Sequence, residues 1–79
     1  MSKNKLKAAM ALKGETQKAL AEKLGMKTAS LNYRINGRVP FKANEIERLA
    51  KILGLTGEEI ITIFFSNEVD KMPTEEEQA

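Results

Sequence analysis

Ile46, Leu49, Ala50 and Leu53 stand at i, i+3, i+4 and i+7, a spacing that gathers four apolar side chains on one face of an α-helix. The segment stops at Gly54. The same period recurs in shorter runs on both sides. Leu6, Ala9 and Met10 predict a first helix over residues 4–13, stopped by Gly14, with Leu12 off its apolar face. Thr16 offers a cap to a second helix on Leu20, Ala21 and Leu24, which ends at Gly25. A third, within "KTASLNYRING", carries Leu31 and Ile35 at i, i+4 and closes at Asn36-Gly37. "RVPF" reads as an extended link, because Pro40 disfavours helical backbone at Val39, and Phe41 is a plug for the core. The fourth helix starts either at a capping box of Asn44 with Glu47 or a residue or two earlier. Thr56 and Glu59 form a second such box ahead of "EEIITIFF", the fifth helix. Five short helices without a strand predict an all-α five-helix bundle.

With 79 residues, the chain is expected to form one domain, residues 1–66, followed by an acidic, polar and flexible tail, residues 67–79, that contains Pro73 and three consecutive glutamates. It has no cysteine and no histidine. Disulfides and thiolate metal sites are thereby excluded, and so is the commonest general base and zinc ligand. Without a convergent carboxylate pair either, an enzyme is not expected, and no metal, cofactor or small-molecule ligand is implied. Lys3, Lys5 and Lys7 precede no long apolar stretch, and no run approaches the roughly 20 residues of a membrane span. A soluble cytoplasmic protein is the expectation.

Formal net charge is +2, but it is unevenly placed. Residues 1–42 hold ten Lys/Arg against Glu15 and Glu22, and residues 43–79 hold three against nine Asp/Glu, so the halves carry +8 and −6. A basic half on a nearly neutral chain suits one face turned to a polyanion.

A short helix, a tight turn at Gly25 and a helix with a polar outer face are the parts of a helix-turn-helix, whose second helix buries one side and shows DNA the other. From about Leu6 to Phe65 the chain resembles the phage-repressor and Cro-like, or XRE-type, regulators. The resemblance rests on "LKAAMALKGETQKALAEKLG", "KTASLNYRINGR", "VPFKANEIERLAKILGL" and "GEEIITIFF", with the "TQ…LA…LG…NG" skeleton in register.

That resemblance implies a regulator, of Cro type or a short repressor from a phage or mobile element, that binds a palindromic double-stranded operator through the major groove as a homodimer. It places Thr28, Ala29, Asn32 and Tyr33 at the base-reading positions. Asn32 suits adenine through paired hydrogen bonds, and Ala29 or the Thr28 methyl suits a thymine methyl. Gln17, at the start of the second helix, falls where the family holds a phosphate, and Lys27, Arg34, Asn36, Arg38 and Lys42 lie where backbone clamps are expected. The sequence makes four departures from the family pattern, the last of them a pair of positions. Lys27 and Lys42 stand where small polar caps are usual, Glu15 replaces a large apolar residue, and Met10 with Ile35 replaces an arginine–glutamate pair.

Helix five carries more apolar surface than one core needs: Ile60 and Phe64 lie at i, i+4, and so do Ile61 and Phe65. Ile61, Phe64 and Phe65 are accordingly the candidate dimer interface. A second class of function uses the same surface: a protein-interaction module, antitoxin or anti-repressor, on the same fold.

Overall fold

The computed structural model describes residues 1–65; the acidic tail expected from position 67 lies outside them. Five helices follow in order: α1 (Lys3–Leu12), α2 (Gln17–Leu24), α3 (Thr28–Ile35), α4 (Ala43–Leu53) and α5 (Gly57–Phe64). Among the described residues there is no strand, so the all-α bundle expected from the spacing is what forms.

Four of the five starts have an identifiable device. Ser2, buried and just outside α1, accepts the Lys5 N–H on its hydroxyl, while its own N–H donates to the Ile63 carbonyl at 2.7 Å. The chain start is thus tied to α5. Thr16 caps α2 through the Ala19 N–H, 3.1 Å away. At α5 the expected box is complete: Glu59 N–H donates to Thr56 Oγ1 at 3.1 Å, and Thr56 N–H donates to Glu59 Oε1 at 2.8 Å.

Helix α4 begins earlier than the Asn44 box would place it. Lys42 is its N-cap and Glu45, three residues on, accepts the Lys42 N–H at 2.8 Å. A lysine has no acceptor to offer in return, so only the carboxylate half of a capping box exists.

The turn between α2 and α3 depends on Gly25, whose φ of 72° lets Met26 N–H fold back to the Ala21 carbonyl. Lys27 then enters α3 in extended conformation with no side-chain cap, the outcome expected of a lysine at that place.

Leu6, Met10, Leu20, Ala21, Leu24, Leu31, Ile35, Leu49, Leu53, Ile63 and Phe64 make one buried cluster. Burying Leu31 and Ile35 contributes about 1.5 to 3 kcal/mol each, and it fixes which side of α3 stays outside. Phe41 reaches the cluster from the α3–α4 link and meets Phe64 edge to face, centroids 5.6 Å apart. Met10 and Ile35 both lie in this core, so α1 and α3 meet through apolar packing where the family pattern has an ion pair. Glu15 is held at the α1–α2 corner by an ion pair with Lys23.

Candidate nucleic-acid interface

With Leu31 and Ile35 buried, the opposite face of α3 follows from helical spacing. Thr28, Ala29, Tyr33 and Asn36 are exposed, and Asn32 is half-buried among them. These are the positions i, i+1, i+4, i+5 and i+8 of one polar face. Gln17, the first residue of α2, stands beside it: Asn32 Nδ2 donates to Gln17 Oε1 at 3.1 Å. Asn36 Nδ2 donates to the Asn32 backbone carbonyl at 2.9 Å and to Asn32 Oδ1 at 3.1 Å.

The basic residues divide into two groups. Lys27, Arg38 and Lys42 are exposed around the two ends of α3 and the link that follows it. The Arg38 guanidinium sits 5.9 Å from the centre of the Tyr33 ring, and the N–H groups of Arg38 and Val39 both reach the Tyr33 carbonyl, at 2.9 and 3.3 Å. The link is therefore folded onto the last turn of α3.

Arg34 is placed otherwise. Its Nε donates to Glu45 Oε1 at 3.0 Å and its Nη1 to the Ser30 carbonyl at 3.1 Å, with 16% of the side chain exposed. The guanidinium, expected to face a phosphate, joins α3 to the start of α4 through these two bonds. Burial pushes the Glu45 carboxyl up, but the Lys42 N–H and Arg34 outweigh it and hold the group below the usual carboxylate range. This pair escapes a reading of the sequence because its partners are eleven residues apart across an irregular link. A signal was nonetheless present: Arg34 flanks Leu31 and Ile35, so it faces a neighbouring helix as much as solvent.

Of the three residues expected at a dimer interface, Ile61 and Phe65 are exposed, at 61% and 63%, while Phe64 is in the core at 8%. Phe65 lines an open groove with Met1, Val39, Pro40 and Phe41, immediately beyond the C-terminal end of α3. Among the described residues no helix is long and apolar enough to cross a membrane, and no cluster of three acidic, histidine or cysteine side chains is placed to hold a metal.

Two short packed helices joined by a tight turn, the second with its polar face outward, define a DNA-binding helix-turn-helix protein. Residues 4–60 match the helix-turn-helix domain family, and the chain belongs to it. Membership makes it a DNA-binding regulator in the general sense, in a family that is typically non-enzymatic. No curated protein and no solved structure matches the chain.

Proposed function

We propose that this protein is a sequence-specific, cytoplasmic transcriptional regulator of phage or mobile-element origin, a Cro-type protein or short repressor, that binds a palindromic operator as a homodimer. The observation that carries this reading is the outward face of α3, where Thr28, Ala29, Asn32 and Tyr33 stand together on a helix anchored by Leu31 and Ile35. Asn32 supplies a donor and an acceptor suited to adenine, Thr28 and Ala29 offer methyl groups to thymine, and Tyr33 borders both base and phosphate. Arg38, Lys27, Lys42 and the Gln17 amide hold the phosphates on either side. Asn36 and Arg34 also arrange their neighbours, Asn36 through Nδ2 on Asn32 and Arg34 through Nε on Glu45 and Nη1 on the Ser30 carbonyl.

Dimer formation is supported by Ile61 and Phe65, two large apolar side chains left outside the core, and by the groove that continues from Phe65 to Val39 and Pro40. A partner seated there is next to the end of α3, which suits two reading helices about one DNA turn apart. Selection of bound sites from random duplex DNA tests the function: an enriched inverted repeat supports it. Recovery of no preferred sequence, with binding insensitive to salt, favours the interaction module, for which the same exposed Ile61 and Phe65 provide the docking surface.

A further inference from the structure

One group on the reading face has a polarity that chemistry does not allow to reverse. The Asn32 backbone carbonyl can only accept, and it receives both the Asn36 N–H, at 3.0 Å, and Asn36 Nδ2, at 2.9 Å. Asn36 must therefore turn its amide nitrogen inward. That nitrogen also meets Asn32 Oδ1 at 3.1 Å, so the Asn32 oxygen is the end that faces Asn36 and its nitrogen is the end that faces α2. The nitrogen in turn donates to Gln17 Oε1 at 3.1 Å, and this turns the Gln17 Nε2 group, with both of its protons, away from the row.

We infer that Gln17, Asn32 and Asn36 form a polarised row of carboxamides in which Asn36 is a positioning residue. It fixes the donor and acceptor order that Asn32 shows a base and the donor that Gln17 shows a phosphate. This deepens the DNA-reading role proposed above and rests on it. A free asparagine side chain rotates, and exchanging its nitrogen and oxygen exchanges the pattern read on a base edge. In the row each carboxamide holds the next, so the pattern is set before DNA arrives and ordering it on binding costs less. Asn32 keeps one N–H and one lone pair beyond those the row uses, which is what a two-bond contact with a base needs. The row also gives a reason for asparagine at 36 beyond ending a helix, since alanine there would leave Asn32 free to turn.

Three variants and two readouts test this. The position read by Asn32 is first defined as the operator base pair whose preference disappears in Asn32→Ala. Asn36→Ala is expected to lower discrimination at that base pair about three- to tenfold, the worth of one neutral hydrogen bond, with preferences elsewhere intact. Gln17→Glu keeps the acceptor that Asn32 needs and removes the donor, so discrimination should persist while affinity for every duplex falls. Gln17→Ala should lose both. In the free protein, the side-chain amide resonances of Asn32 and Gln17 should shift in Asn36→Ala, a readout independent of DNA. The row is overturned if those resonances do not move, or if Asn36→Ala weakens all duplexes equally with discrimination unchanged, the result of a plain phosphate contact. Should the resonances respond as expected in a wild-type protein that binds no DNA, the regulator reading falls and takes the base-reading role with it, while the row itself stands; the two failures are thereby distinct.

Discussion

Arg34 Nε lies 3.0 Å from Glu45 Oε1, and that same oxygen accepts the Lys42 N–H, so one carboxylate both starts α4 and anchors the polar-faced helix α3 to it. The pair is mostly shielded, with side-chain exposures of 16% and 11%, which puts it in the regime where opening one side leaves an uncompensated charge. Arg34→Met should cost about 3 kcal/mol in urea unfolding. A loss under about 0.5 kcal/mol would place it with exposed surface pairs.

Acid should act through the same carboxylate. Its folded pKa is depressed, so the stability it contributes is present above its unfolded value, roughly 4.3, and is lost as pH falls through the lower folded value. Urea midpoints measured from pH 6 down to pH 2 should therefore fall more steeply for the wild type than for Glu45→Gln, which has nothing to titrate there. Parallel curves would remove Glu45 from the account of acid sensitivity.

The fold was legible in the sequence wherever apolar spacing and a cap agreed. Thr16, Gly25, Thr56 and Glu59 act as their chemistry implies, and Leu31 with Ile35 fixes the polar face of α3. Legibility failed where a partner lies across a turn. Of the two starts open for α4, the Asn44–Glu47 box or one a residue or two earlier, the earlier forms, and Glu45 takes the Lys42 N–H there. Arg34 has Glu45 beside it, a partner eleven residues on that its own neighbours in sequence do not mark. Ser2 caps α1 by a local pattern, but its burial comes from the bond of its N–H to Ile63, which no local pattern marks.

Grip and reading should separate by position. Arg38 is exposed and steadied over Tyr33, so Arg38→Ala should weaken all duplexes alike and reduce the slope of log K against log salt by about 1. The wild-type slope should be about −0.9 for each phosphate contacted. A flat salt response would count against DNA binding by this face altogether.

Thr28→Ala and Asn32→Ala should behave in the opposite way. Each removes a group from the exposed face of α3 without touching the core, so folding should be retained. The expected cost is roughly 1 to 3 kcal/mol at one or two base pairs, with non-specific affinity nearly unchanged in Thr28→Ala and only slightly lowered in Asn32→Ala, which also releases Gln17. If both variants keep the wild-type preference, another element reads the sequence.

Neighbouring phenylalanines at the end of α5 should give unlike results, because helical rotation sends one inward and the other out. Phe64 is 8% exposed and packed edge to face on Phe41, whereas Phe65 is 63% exposed beside the groove of Met1, Val39 and Pro40. Truncating Phe64 to alanine opens a cavity at a ring contact and should cost about 3 to 5 kcal/mol, lowering the unfolding midpoint whatever the oligomeric state. Phe65→Glu removes no core contact, but it places a charge where a dimer would have to exclude water, and an unpaired buried charge is among the costliest changes an interface can take. Sedimentation of the wild type at micromolar concentration should show a species near twice the monomer mass, and Phe65→Glu should sediment as a folded monomer with much weaker operator binding. Ile61→Glu provides the control for position, since Ile61 is equally exposed and lies one turn earlier on the same stripe. Loss of the dimer in both variants puts the interface along α5, and loss in Phe65→Glu alone confines it to the groove end. A wild-type protein that remains monomeric with and without DNA would refute the two-fold arrangement.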